Sequence, residues 1–311
     1  MRVVVTGAGG FVGRALISHL ITDGYEVVPI VRTAQGLANE RVIDDIESAD
    51  WLEILFGADA VVHLAARVHM MHDRAPDPLA EFRRVNVDGT RILAEAASRA
   101  GVRRFLFLSS IKVNGEFTQS NKPFRPTDPP RAIDSYGLSK QEAEAALFEV
   151  ARSGPMTVTI VRPPLIYGPG MKGNLRALVT ALRHGIPLPF GRITQNRRSL
   201  VGVGNLTSLI SVALRHPAAS NSVFLVADGE DLSTAALVRA LAAAIGRKPR
   251  LLPVPASLIR VVAGLVGRHA AADRLVGNLQ VDIIETRAKL GWSPPVPLEA
   301  GLRAAVRDSP M

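Results

Sequence analysis

The chain has 311 residues, 47% of them hydrophobic and 21% charged, which suffices for a large core and carries no signature of disorder. It contains no Cys, which excludes disulfides, thiolate nucleophiles and cysteine metal ligands and suits a reducing cytoplasm. The net charge of +9 invites a polyanion, but the 37 basic residues are scattered and only 5% of residues are aromatic, so an anionic small molecule is expected rather than nucleic acid.

The β-branched run Arg2 to Thr6 predicts a strand that breaks into glycines at 7, 10 and 13 and continues as a helix from Val12 to Thr22. A dinucleotide pyrophosphate needs this order, because it must approach backbone N–H groups at a helix N-terminus where side chains at Gly7 and Gly10 would block it. Gly13 lets the helix lie close to the strand. The motif starts at residue 7, so no targeting peptide is expected before it. Further strands are predicted at Glu26 to Val31, Ala60 to Leu64, Arg104 to Leu108 and Thr157 to Val161. Helices are predicted near Trp51 to Phe56 and over Pro78 to Ala100 and Ser135 to Arg152. This alternation predicts an α/β fold with a Rossmann-type doubly wound parallel sheet. After Pro163-Pro164 the chain turns to Gly- and Pro-rich loops, a helix Asn174 to His184 stopped by Gly185, and short elements. A strand and helix around Ser199 to Leu214 are expected to return to the sheet. The division is therefore 1–168 with about 197–217 as dinucleotide-binding domain, and about 169–196 with 218–311 as a smaller mixed substrate unit.

Tyr136-Gly-Leu-Ser-Lys140 places a phenol and an ammonium one helical turn apart on one face. A neighbouring ammonium favours the phenolate, so Lys140 is expected to lower the Tyr136 pKa toward a useful acid–base range. Ser109 and Ser110 fall at the carboxyl end of a predicted strand, where ligands collect in doubly wound sheets. His69 and His72 lie three apart in the loop after a strand, but no third ligand candidate is near, and no metal is expected. The apolar run Ala256 to Gly267 is interrupted by Arg260 and too short to span a bilayer. It reads as an amphipathic helix packed on the domain, with no membrane partner; lying on a membrane surface is the lesser alternative.

The motifs Thr6 to Gly13, Asp45-Ile46, Leu64-Ala65-Ala66, Asn86-Val-Asp-Gly-Thr90, Ser109-Ser110, Tyr136 to Lys140 and Arg162-Pro-Pro-Leu-Ile-Tyr-Gly168 stand in the order of the extended short-chain dehydrogenase/reductases. Over nearly its whole length the chain resembles this family of nucleotide-sugar epimerases, dehydratases and reductases. The resemblance implies that Gly7, Gly10, Phe11, Val12 and Gly13 hold the cofactor. It implies that Asp45 and Ile46 border its adenine, that Leu64, Ala65 and Ala66 line it, and that Pro163 and Tyr167 shape the nicotinamide pocket. Ser110 aligns with the hydroxyl that holds the sugar oxygen, Tyr136 with the acid–base, and Lys140 with the ribose-binding ammonium. Asn86 reads as a structural tie between sheet and helix. Asn174 and Arg198 match the residues that meet the nucleotide diphosphate, and Lys112 and Asn114 are candidate sugar contacts, with a loop-stabilising role as the equal alternative.

Departures from the family pattern narrow the expectation. Ile111-Lys112 replaces the acidic pair of dehydratases, and the Cys of one epimerase-reductase type is missing. Arg32 stands at the end of the second strand, where NAD-specific members place a carboxylate, so NADP(H) is expected to be preferred with NAD(H) left open. Within the family, Ser109 to Glu116, Arg162 to Asn174, Arg198 to Val201 and Leu290-Gly-Trp292 resemble the branch that reduces UDP-4-keto-6-deoxy-hexosamines for surface polysaccharides. The expected activity is that reduction in the cytoplasm. A UDP-hexose 4-epimerase, with the same three residues, and a non-catalytic dinucleotide sensor stand as alternatives. Helices 78–100 and 135–152 could form a four-helix homodimer seam, although their apolar stripe also fits packing on the sheet.

Overall fold

The computed structural model describes residues 1–68, 77–265, 267 and 269–307, so the histidine pair at 69 and 72 lies outside the described residues. The strands are β1 (Arg2–Thr6), β2 (Glu26–Val31), β3 (Arg41–Val42), β4 (Ala60–His63), β5 (Arg104–Leu108), β6 (Thr157–Arg162), β7 (Leu165–Tyr167), β8 (Arg198–Gly202), β9 (Ser222–Leu225) and β10 (Asp231–Leu232). Seven of them form a parallel sheet in the order β3-β2-β1-β4-β5-β6-β9. Val3, Val4, Val5, Ala60, Val61, Val62, Phe105, Leu106 and Phe107 are all buried, because helices cover both faces of such a sheet and every side chain on a central strand meets protein. Strand order reverses between β1 and β4, which opens a crevice at their carboxyl ends.

One face of the sheet carries α1 (Phe11–Thr22). The other carries α2 (Trp51–Ile54), α3 (Pro78–Arg83), α4 (Gly89–Arg99) and α5 (Ser135–Arg152). The helix expected over Pro78 to Ala100 is interrupted by a wide turn at Arg84–Asp88. That turn carries Asn86 into the core, where its Oδ1 accepts from Arg67 N and its Nδ2 donates to Arg67 O and Ser139 Oγ, all within 3.0 Å. Asn86 is thus the structural tie expected of it. The outer groove between α4 and α5, where a dimer seam was expected, mixes the charged Arg91, Glu95, Arg99 and Glu149 with Ala146 and Val150.

The expected return to the sheet near residue 199 is realised differently. Strand β8 pairs with β7 and β10 in a separate three-stranded sheet, while the helix after it, α7 (Val203–Arg215), lies against α1. The seventh strand of the large sheet is β9, within the stretch expected to belong wholly to the smaller unit. Hydrophobicity marks β8 as a strand but does not say which edge it joins.

The smaller unit packs α6 (Gly173–Arg183), α8 (Thr234–Ile245) and, near the C-terminus, α12 (Leu298–Arg307) around Tyr167, Leu175, Val179, Val238, Leu241 and Leu302. Between the last two helices run α9 (Ala256–Leu265), α10 (His269–Val276) and α11 (Ile284–Leu290). Helix α9 corrects an expectation: it contains no buried residue among those described, so its apolar side is not packed on the domain. No helix among the described residues is long and apolar enough to cross a membrane.

His63, at the end of β4, is fully buried between Thr6 Oγ1 at 2.6 Å and Thr90 Oγ1 at 3.0 Å and stacks on Phe107. Burial, aided by the charge of Lys140, pushes its pKa down to about 3, so the folded protein holds it neutral. In the unfolded chain it protonates near its ordinary value. Stability from this group is therefore complete above about pH 6.5 and is lost as pH falls toward 3, by up to about 1.4 kcal/mol per pH unit. Urea titrations of wild type and His63→Gln between pH 7 and pH 4 should show the variant weaker at pH 7 with a shallower decline; parallel declines would refute the assignment.

Candidate active site

The glycine turn forms a cradle for an anion. Gly7 has φ +69°, and a Cβ there would lie 2.7 Å from Ala65 N; a Cβ at Gly13 would lie 2.3 Å from Gly7 O. These two glycines bring strand, helix and the Leu64-Ala65-Ala66 segment into close contact. Gly10 caps α1 in an extended conformation and meets only Gly7 O, so it keeps the approach to the helix end open. Helix α1 begins with no side-chain cap and no acidic residue in its first turn, so the N–H groups of Phe11, Val12 and Gly13 and the positive end of the helix dipole point to the crevice. These residues fit a dinucleotide pyrophosphate.

Around the cradle the other expected cofactor residues take varied positions. Arg32 is exposed just beyond β2 and enters no ion pair among the described residues. Its neighbour in the fold, Arg14, is turned to Gly9 O and Gln35 Oε1. One oxygen of Asp45 accepts from the N–H groups of Glu47 and Ser48 and from the Ser48 hydroxyl, and these bonds lower its pKa. Ile46 packs beneath Gly89. Pro163 is buried, and its carbonyl holds Ile111 N at 3.0 Å. Tyr167 does not face the crevice: it is buried in the smaller unit's core, with its hydroxyl donating to Asp228 Oδ2 at 2.7 Å.

Ser110, Tyr136 and Lys140 come together at the carboxyl end of β5. Asp134 caps α5 by accepting from Gly137 N at 2.7 Å, which sets the first turn that carries Tyr136. Ser110 sits beside the Tyr136 hydroxyl, close enough to lower its pKa. One turn further, Lys140 is 1% exposed; its Nζ donates to Leu108 O at 2.9 Å and lies 4.1 Å from the Phe107 ring centroid.

The electrostatics reverse one expectation. Desolvation, reinforced by the Asp134 carboxylate, pushes the partly exposed Tyr136 phenol up to about 12, and only Ser110 opposes the rise. Burial pushes Lys140 down to about 7, although Glu144 favours its charge. Lys140 does not lower the phenol's pKa here: its Nζ is turned to Leu108 O and the Phe107 ring.

Behind these residues lies a buried ion pair that the sequence analysis missed. Glu144, one turn beyond Lys140, accepts from Arg162 Nε at 2.9 Å and Nη2 at 2.5 Å and from the Ser109 hydroxyl. Arg162 Nη1 donates to Asn114 Oδ1, and Asn114 Nδ2 donates to Arg125 O, each at 2.9 Å. Asn114, a candidate sugar contact, therefore spends both ends of its amide on the loop and is buried. The spacing from Lys140 to Glu144 was visible in the sequence; the Arg162 partner, on another strand, was not. Lys112 is bound by Asp134 and lies 3.5 Å from Glu116.

A second helix end faces the same side of the fold. Helix α6 starts at Gly173 with no side-chain cap and no acidic residue in its first turn, and exposes Asn174. Arg198 opens β8 and donates to Gly277 O at 3.3 Å; burial and the nearby charge of Arg274 both lower its pKa. Two guanidiniums that repel each other are stabilised by an anion bound between them. No local signal in the sequence singled out Arg274.

Comparison with known proteins agrees with this geometry. The profile of the NAD dependent epimerase/dehydratase family matches residues 3–227. The chain is similar to a UDP-glucose 4-epimerase of Vibrio cholerae, with 46% identity over 97% of this chain and 93% of that one. It is also similar to an N-acetyl-α-D-glucosaminyl-diphospho-ditrans,octacis-undecaprenol 4-epimerase of Escherichia coli O157:H7, with 31% identity over the same shares. Among solved structures, a UDP-glucuronic acid 4-epimerase of Bacillus cereus in complex with NAD superposes with a TM-score of 0.80 at 19% identity, covering 99% of this chain and 98% of that one. A UDP-glucose 4-epimerase of Thermotoga maritima with UDP-glucose superposes with a TM-score of 0.78 at 24% identity and the same coverage. The chain belongs, as an enzyme, to the NAD dependent epimerase/dehydratase family.

Proposed function

We propose that the protein interconverts the C4 epimers of a UDP-hexose. The observation that carries this reading is the 46% identity to a UDP-glucose 4-epimerase over 97% of the chain, with Ser110, Tyr136 and Lys140 all present in this chain. It displaces the expected net reduction of a 4-keto sugar, which the same three residues would serve.

A bound nicotinamide cofactor supplies the hydride acceptor and donor. The residues that would hold it are Gly7, Gly10, Phe11, Val12 and Gly13 at the helix end, Leu64, Ala65 and Ala66 beside them, Asp45 and Ile46 toward the adenine, and Pro163 near the nicotinamide. With its pKa lowered by the positive charge of the bound cofactor, Tyr136 would take the proton from the C4 hydroxyl as phenolate and return it to the carbonyl oxygen of the keto sugar. Ser110 holds that oxygen, and Lys140 binds the cofactor ribose. Asn174, Arg198 and Arg274 hold the nucleotide diphosphate, which lets the keto sugar turn over without escaping. Lys112, neutralised by Asp134, forms the wall beside the Tyr136 ring at 5.9 Å.

The enzyme incubated with UDP-glucose or UDP-N-acetylglucosamine and no added reductant should produce the corresponding C4 epimer up to equilibrium. Tyr136→Phe should lower the rate by about 100-fold or more while UDP binding persists. Stoichiometric NADPH oxidation with a UDP-4-keto-6-deoxy-hexosamine, and no epimer from either hexose, would restore the reductase reading.

Arg32 bears on the cofactor. Its exposed guanidinium, which enters no ion pair among the described residues, can meet the 2′-phosphate of NADP(H) and does not oppose NAD(H), so both are accepted with NADP(H) favoured. Arg32→Asp should weaken NADP(H) by about 10-fold or more, since a charge-assisted bond contributes about 1.5–3 kcal/mol, and should leave NAD(H) nearly unchanged. Equal losses for both in fluorescence titrations would remove Arg32 from the 2′ position.

A further inference from the structure

Helix α9 turns its apolar stripe outward. Leu258, Val261, Val262 and Leu265 recur at the i, i+3, i+4 and i+7 spacing of one helical face, and they are 50%, 59%, 52% and 83% exposed. On an ordinary domain helix this stripe would face the core. Here the inner side of α9 lies against α10, with Arg260 paired to Asp273, and Leu252 extends the exposed apolar surface toward the preceding loop. An apolar surface of this kind marks an interaction site.

The charge around the stripe identifies the partner. Residues 232–272 hold Arg239, Arg247, Lys248, Arg250, Arg260 and Arg268 and no Asp or Glu, so this stretch alone supplies most of the net +9. Arg247, Lys248 and Arg250, in the loop leading to α9, are exposed and enter no ion pair among the described residues. A short helix with an outward apolar stripe beside a basic cluster has the chemistry of an element that lies in the interface of an anionic bilayer: aliphatic side chains enter the acyl boundary while the cations meet lipid phosphates. A protein partner with an apolar groove would account for the stripe but not for the absence of acidic residues over the whole stretch.

We infer that α9 and the basic loop before it form a peripheral docking surface for an anionic lipid bilayer. The surface adjoins the substrate side of the smaller unit: Arg260 and Asp273 share a groove with Phe117, Val276 and Gly277, and the Gly277 carbonyl accepts from Arg198. Docking through α9 therefore holds the mouth of the proposed nucleotide-sugar site close to the membrane, without any spanning segment.

Flotation of the full-length protein with phosphatidylcholine vesicles, with and without phosphatidylglycerol, tests the inference. Wild type should float with the anionic vesicles, less so with phosphatidylcholine alone, and less at high salt. Replacing the stripe with Leu258→Gln, Val261→Gln and Leu265→Gln together should reduce the bound fraction by about tenfold or more, as should Arg247→Glu with Lys248→Glu. Because these side chains are exposed, the variants should keep a wild-type thermal midpoint. No flotation of wild type, or equal flotation of all proteins, overturns the inference. So does a dimer in sedimentation velocity that the stripe substitutions dissolve without any vesicle binding by wild type, which would assign the stripe to a second copy.

Discussion

Burial of two ionisable side chains on one face of α5 is the constraint on which the rest of the site depends. Lys140 is fully buried and Tyr136 partly so, and desolvation drives both toward their neutral forms, the phenol up to about 12 and the amine down to about 7. The surrounding architecture keeps them there. Asp134 fixes the start of the helix, the Glu144–Arg162 pair anchors its next turn to β6, and Asn86 ties its Ser139 to the segment after β4. The same desolvation extends to His63, whose neutral ring forms the floor under Phe107 and Lys140.

Charge complementarity supplies the second half of the design. Two helices, α1 and α6, begin without side-chain caps or acidic first turns. Arg198 and Arg274 add two guanidiniums whose mutual repulsion is carried by the folded protein. Positive potential is thus concentrated where a dinucleotide and a nucleotide diphosphate would place their phosphates, while the Tyr136 phenol between them is held neutral. The wide turn at Arg84–Asp88, an irregularity in an otherwise regular helix, is what lets Asn86 close the base of this crevice.

Much of the framework was legible from local pattern. Strands at Arg2–Thr6, Glu26–Val31 and Arg104–Leu108 and the helix Ser135–Arg152 follow from dense β-branched or apolar runs and a capping Asp, and they occur with those bounds. Two-residue β3 was too short to read, and β8 was expected in the large sheet, where the unpredicted β9 stands instead, because partner choice is a tertiary property. In the site, the spacing of Tyr136 and Lys140 gave their shared face but not the sign of their electrostatics, which desolvation decides. Asn114 read equally as a sugar contact or a loop stabiliser; its amide is held by Arg162 and Arg125, neither of which is adjacent in sequence, in keeping with the second role. The stripe of α9 was visible as amphipathic, but periodicity identifies an apolar face without saying what covers it.

The most direct test of the central claim is the titration of Tyr136 itself, read as phenolate absorbance in wild type minus Tyr136→Phe. In the cofactor-free protein the difference should show no phenolate at neutral pH, with ionisation displaced well above the ordinary tyrosine range, and saturating NAD should bring it down by one unit or more through added positive charge. A phenolate already present near pH 7 without cofactor would contradict the account, because Lys140 would then activate the phenol on its own and burial would not be what governs the pair.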